Sequence, residues 1–242
     1  MQKSMSTGSA LFALRFSRLL RFSIGLLVVG SATAAYSATY YVDFAAGNDD
    51  SAGTSPTTAW KTIPGTKTSD LSGWRTLNYA NGTVVAGTVK VPAGTTFKLK
   101  SGTTHDRSNG GLIFIDSTFY QQGTSNSPIV FQRDLTWGNG QIIIDGSGMT
   151  FSAWTGLFEI HSLHYVHLDG AIANGIKVQN SGYYGVFYYD KGDSGADLRN
   201  LEIYNSLHNN LLCDSSDYVT PTYMSNVTIQ PLCRLGWVTR NR

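Results

Sequence analysis

The sequence predicts an all-β protein built as a stacked coil, a parallel β-helix or solenoid. Short hydrophobic strands recur late in the chain, at Tyr165-Val166-His167-Leu168-Asp169-Gly170, Asn200-Leu201-Glu202-Ile203-Tyr204-Asn205 and Ser225-Asn226-Val227-Thr228-Ile229-Gln230, with 35 residues from Leu168 to Ile203 and 26 from Ile203 to Ile229. A unit of that size cannot bury its own apolar face and needs its neighbours. A second series, Gly185-Val186-Phe187-Tyr188-Tyr189-Asp190 and Asn210-Leu211-Leu212-Cys213-Asp214, repeats at 24 residues when the terminal Asp residues are matched. Two series imply two sheets of one coil, each rung giving one strand to each. Composition agrees: 14 Asp stand against two Glu, beside 26 Gly, and Asp and Gly favour turns where Glu favours helix.

The elements follow in order. Residues 1–34 read as a signal peptide: Arg15, Arg18 and Arg21 precede the apolar run from Phe22 to Gly30, and Ala32-Thr33-Ala34 is a small-x-small cleavage site. A run of nine residues falls well short of the roughly 20 that span a bilayer. Cleavage after Ala34, a secreted or periplasmic destination and no membrane span thereafter are expected. This segment holds four of the 18 basic residues and none of the 16 acidic ones, so the remainder carries 14 against 16, a net charge of −2. That balance gives no electrostatic basis for nucleic-acid binding. Cys213 and Cys233 are in an exported chain where a disulfide is permitted, and free thiols fit equally.

Residues 35–92 are expected to form an N-terminal cap and the first strands, with a short helix over Ser69–Ala80, where Leu71, Trp74 and Leu77 fall on helical spacing. A stacked coil needs its first rung covered against edge pairing. Residues 93–230 are expected to form the coils, with strands at Thr96–Lys100, Leu112–Asp116, Pro128–Gln132, Gln141–Asp145 and Leu157–Ile160 separated by Gly-rich turns. Residues 231–242 hold three Arg and no acid, and lack the Asn/Gly turns or a matching strand. This atypical tail fits a truncated or frame-shifted reading or an unusual C-terminal cap.

The opening Tyr40-Tyr41-Val42-Asp43, Gly47-Asn48-Asp49, Gly53-Thr54-Ser55-Pro56 and Trp60-Lys61-Thr62-Ile63, with Ala93 to Gly102 and Ser127-Pro128-Ile129-Val130-Phe131 after it, resembles the start of secreted bacterial right-handed parallel β-helix proteins of the pectate-lyase-like superfamily. The resemblance runs from about Tyr40 to Gln230. It implies a right-handed solenoid, export, a monomer and an acidic, uronate-containing polysaccharide as partner. The superfamily includes lyases, hydrolases, epimerases and proteins with no catalysis, so the fold alone does not choose an activity.

Parallel stacking places equivalent side chains of successive rungs in ladders. If Val166 and Leu168 stack on Leu201 and Ile203, His167 and Glu202 become outward neighbours able to bind sugar hydroxyls or handle protons. A solvated polar ladder is the plainer account. Tyr188, with Tyr183, Tyr184 and Tyr189, could stack on sugar rings, although aromatic ladders also stabilise strands by themselves. Asp190-Lys191-Gly192-Asp193 and Asp214-Ser215-Ser216-Asp217 are both Asp-x-x-Asp, 24 residues apart. Stacked, Asp190, Asp193, Asp214 and Asp217 could hold calcium, which takes several oxygen ligands; turn-forming is the ordinary use of such residues. By the resemblance, calcium would neutralise a uronate while Lys191 or Arg199 removes its C5 proton in β-elimination. The alternatives are a non-catalytic carbohydrate-binding or surface β-helix, and an inactive fragment of a longer enzyme. His161, His164 and His167 do not converge as a zinc set requires.

Overall fold

The computed structural model describes residues 37–68, 73–77, 79–80, 83–84, 89–189, 195–214, 223–230 and 236–237. Sixteen strands occur there: β1 (Thr39–Val42), β2 (Tyr79–Ala80), β3 (Thr83–Val84), β4 (Thr96–Ser101), β5 (Thr104–His105), β6 (Ile113–Asp116), β7 (Ile129–Gly138), β8 (Ile142–Asp145), β9 (Gly156–His161), β10 (Val166–Asp169), β11 (Ile176–Gln179), β12 (Tyr184–Tyr189), β13 (Asp197–Tyr204), β14 (Asn209–Asp214), β15 (Tyr223–Gln230) and β16 (Gly236–Trp237). Apart from the small antiparallel pair β2–β3, every strand pairs in parallel.

Three ladders result. The first runs β1–β4–β7–β10 to the first half of β13, and the second runs β5–β8–β11 to its second half. β13 therefore joins both into one curled nine-stranded sheet, with β15 alongside it over its length. The third ladder is β6–β9–β12–β14–β16. The chain visits the three in turn, as β4–β5–β6, β7–β8–β9 and β10–β11–β12. This curled, parallel all-β arrangement is compatible with a solenoid.

Alternation decides which side is inside. In the first ladder Phe97, Phe131, Leu168 and Leu198 share one row, and the Phe97 and Phe131 rings stack at 4.9 Å and 8°. In the second, Ile142, Ile176 and Leu201 align, as do Ile144, Val178 and Ile203. In the third, Ile113, Phe158, Val186 and Leu211 align. All of these are buried in one cluster, and each apolar group loses water contact against its counterpart in the next coil.

Bends between ladders carry asparagine. Asn180, Asn200, Asn205 and Asn226 have φ between 51° and 58°, a left-handed conformation that Asn adopts more readily than most residues. Their amides bond along the stack: Asn226 Nδ2 donates to Asn200 Oδ1 (3.1 Å), Asn200 Nδ2 to Asp169 Oδ1 (2.8 Å), Asn205 Nδ2 to Asn180 Oδ1 (2.7 Å) and Asn180 Nδ2 to Asp145 Oδ1 (3.1 Å).

The structure corrects several expectations. The parallel strands form two sheets, but each coil gives two strands to the nine-stranded sheet and one to the five-stranded sheet where one to each was expected, and β11 was not anticipated. Leu168 lies opposite Leu198, not Ile203, and Ile203 belongs to the second ladder opposite Val178. In the third ladder Tyr189, not Asp190, lies opposite Asp214. The expected helix over Ser69–Ala80 is absent from its described part: Lys67 bridges Trp74 in antiparallel fashion, and Thr68 N–H donates to Gly73 O at 2.9 Å. The opening holds only a three-residue 3-10 turn, Pro56–Thr58. The tail does supply a strand, since Gly236 and Trp237 of β16 pair with Leu212 and Cys213.

Asn200→Ala is expected to destabilise the fold by about 3–4 kcal/mol, combining left-handed strain of ~1–2 kcal/mol with two lost ladder bonds of about 1 kcal/mol each. Asn200→Gly should recover the strain and leave only the bond deficit. Urea denaturation of the two variants separates the contributions; equal losses would show that the backbone conformation is irrelevant there.

Candidate functional site

The outer face of the third ladder is the most chemically distinctive surface among the described residues. Parallel register builds one row of Phe114, Glu159, Phe187 and Leu212, and a second of Asp116, His161, Tyr189 and Asp214. Strands in such ladders lie ~4.8 Å apart, so the Glu159 carboxyl is held between a phenyl-bearing position on each neighbouring coil. The His161 ring stacks on Phe114 (5.6 Å, 25°) and on Tyr189 (4.9 Å, 12°), giving a continuous run of planar groups along the stack. Trp154, exposed, stands at 6.3 Å from Tyr184, which in turn contacts Phe187 at 4.8 Å.

Two cavities open on this face. The larger, about 520 Å³, is walled by Trp74, Phe114, Met149 and Glu159, with Lys67 and Arg107 also lining it. Lys67 Nζ sits 4.7 Å from the Trp74 ring centroid, an attractive cation–ring geometry. The smaller, about 360 Å³, is lined by Trp154, His161, Phe187 and Tyr189, and shares Phe114 and Glu159 with the first. Rings around a few convergent polar groups are the usual make-up of a ligand site.

Glu159 is 7% exposed. Burial raises its pKa from 4.5 to about 7, one Gly156 N–H bonded to Oε2 at 3.0 Å works against that rise, and the nearby Asp116 charge adds to it. Gly156 is needed for this approach, since a Cβ there would stand 2.8 Å from Phe187 Cβ and 3.3 Å from Glu159 Cβ.

The residues expected from sequence are dispersed. His167 and Glu202 occupy different ladders: His167 lies opposite Asp197, while Glu202 lies between Lys177 and Thr228. Glu202 pairs with Lys177 at 3.2 Å and accepts from Gln141 Nε2 at 3.2 Å. His167 is half-buried, and burial lowers its pKa against the opposing charge of Asp197. Arg199 donates Nε to Asp197 at 2.8 Å, and that carboxylate holds its pKa above the ordinary value, which favours the protonated guanidinium over a proton-accepting one. Tyr188 is 0% exposed and points into the core, away from any ligand-facing surface. Asp190, Lys191, Asp193 and Asp217 lie outside the described residues, and Asp214 is placed only by its backbone opposite Tyr189. Among the described residues no three His, Cys, Asp or Glu side chains gather as a metal set. Glu159 itself was passed over, although an acid flanked by Phe158 and Ile160 in a strand pattern must face outward.

No protein-family model matches the chain, and no curated protein matches it.

Folded Glu159 favours its proton more than the unfolded chain does, so its contribution is full below about pH 4.5 and is lost as pH rises through about 7. His105 and His167, both shifted down by burial, run the opposite way as pH falls through about 6.5. The difference between Glu159→Gln and the parent chain isolates the carboxyl. It is expected to grow with pH across this window, in favour of the variant, by up to about 3 kcal/mol. Chemical denaturation at pH 4.5, 6 and 8 measures it; a constant difference would mean that the carboxyl titrates normally.

Proposed function

We propose that this chain is an exported right-handed parallel β-helix that binds an acidic polysaccharide along the ring-bearing third face. Handedness follows from the general rule that parallel strand crossovers are right-handed. Export follows from the basic n-region, short apolar run and Ala32-Thr33-Ala34 site. The carrying observation is the 520 Å³ groove, which combines Trp74 and Phe114 with the cations Lys67 and Arg107. Flat apolar rings suit the faces of sugar rings, and the two cations suit a uronate carboxylate. The net charge of −2 outside residues 1–34 offers no general attraction for polyanions, so selectivity is assigned to these two cations.

The binding reading is preferred to β-elimination by Arg199, because Asp197 engages that guanidinium. Titration with polygalacturonate and with a neutral galactan of similar length, at low salt, tests the proposal. The acidic chain is expected to bind more tightly. Trp74→Ala should weaken it about tenfold, the effect of removing a ~1.4 kcal/mol contact. The pair Lys67→Ala and Arg107→Ala should abolish the preference for the acidic chain. Equal binding of both polysaccharides would overturn the charge assignment, and ultraviolet absorbance of an unsaturated product during the titration would place elimination chemistry on the chain after all.

A further inference from the structure

Glu159 has a position that binding to rings and cations alone does not use. It lines both the 520 Å³ and the 360 Å³ cavities, so a sugar chain extended along the stack from one to the other passes over it. Only Phe114 shares that placement. The carboxyl has phenylalanines on both adjoining coils, Phe114 and Phe187, and accepts one backbone N–H, from Gly156 at 3.0 Å.

The charged groups around it come from several elements. Asp116 of β6 adds a like charge, His161 is two residues along β9, and Tyr189 faces from β12 beside His161. Lys67 and Arg107 line the larger cavity with it. An anionic sugar entering this space brings a further carboxylate toward Glu159, which makes a second negative charge there still less favourable. In its neutral form the carboxyl repels nothing and gains an O–H donor for a sugar hydroxyl or carboxylate.

We infer that Glu159 conditions the selectivity that Lys67 and Arg107 supply: the groove accepts an anionic sugar chain only when this carboxyl is protonated, so that binding is coupled to uptake of one proton. This rests on the reading of the groove as an acidic-polysaccharide site. Burial that already lifts the carboxyl to about pH 7 places the coupling at neutral to alkaline pH. Below pH 6 the proton is already present and binding takes up none. Above pH 7.5 uptake approaches one proton per site, and affinity falls toward tenfold per pH unit.

The test is calorimetric titration of the full chain with a trimer of galacturonate, in buffers of low and high ionisation enthalpy, at pH 5.5 and pH 8. The parent chain is expected to take up almost no proton at pH 5.5 and close to one at pH 8. Glu159→Gln, a neutral isostere, should bind at both pH values with the parent's pH 5.5 affinity and no uptake. His161→Gln should retain the uptake, which assigns the proton to Glu159 rather than to the imidazole. Binding by the parent without uptake at pH 8, uptake that persists in Glu159→Gln, or uptake lost in His161→Gln would overturn the inference while leaving the acidic-polysaccharide reading intact. Absence of trimer binding by the parent at both pH values would overturn that reading and the inference together. If Glu159→Gln fails to fold, the parent and His161→Gln titrations still decide.

Discussion

Parallel register is the constraint on which the rest of this structure depends. Each strand hydrogen-bonds to its counterpart one coil away, so each residue meets the equivalent residue above and below. Rows of like side chains follow from that geometry. Phe97 stacks on Phe131 in the core, and Asn226, Asn200 and Asp169 bond in sequence at a bend. The same rule that repeats a favourable contact along the stack also repeats an unfavourable one. A residue unlike its neighbours in a row is therefore conspicuous in energy, and Glu159 between Phe114 and Phe187 is such a residue.

Register also explains how far the fold could be read from the chain. Strands with strict alternation, such as Thr96-Phe97-Lys98-Leu99-Lys100, were legible because apolar burial on one face demands that pattern. The repeat length was harder. In the later coil a single residue, Asn200, separates the first and second ladders, whereas residues 170–175 fill the same place one coil earlier. Matching Leu168 to Ile203 by hydrophobic pattern thus crossed from one ladder to the next, and β11 went unseen. Matching Asp190 to Asp214 was wrong by one residue. In a sheet a slip of one transfers every side chain to the opposite face; of the tyrosines named as able to stack on sugars, Tyr188 is in the core.

The candidate site was less legible than the fold because it is assembled from distant segments. Trp74 arrives on an antiparallel bridge to Lys67, Phe114 on β6, Glu159 on β9 and Tyr189 on β12. Helical spacing of Leu71, Trp74 and Leu77 pointed to a helix, but Lys67 and Thr68 pair in antiparallel fashion with Trp74 and Gly73 instead. One signal was available. Glu159 is one of only two Glu in the chain, and it interrupts an apolar strand at an outward position.

The burial of that carboxyl is not explained by the stack itself. Leu212 occupies the same row two coils away and is almost fully buried, so an apolar residue satisfies the packing. An acid in its place forfeits hydration and recovers only the Gly156 hydrogen bond. Ion pairing does not compensate, since the charge that acts on it is the like charge of Asp116. Protonation is the remaining way to relieve the cost, and it changes the group from an acceptor alone into a donor facing two cavities. A fold that needed only packing would be more stable at neutral pH with leucine there, so packing alone does not account for the carboxyl.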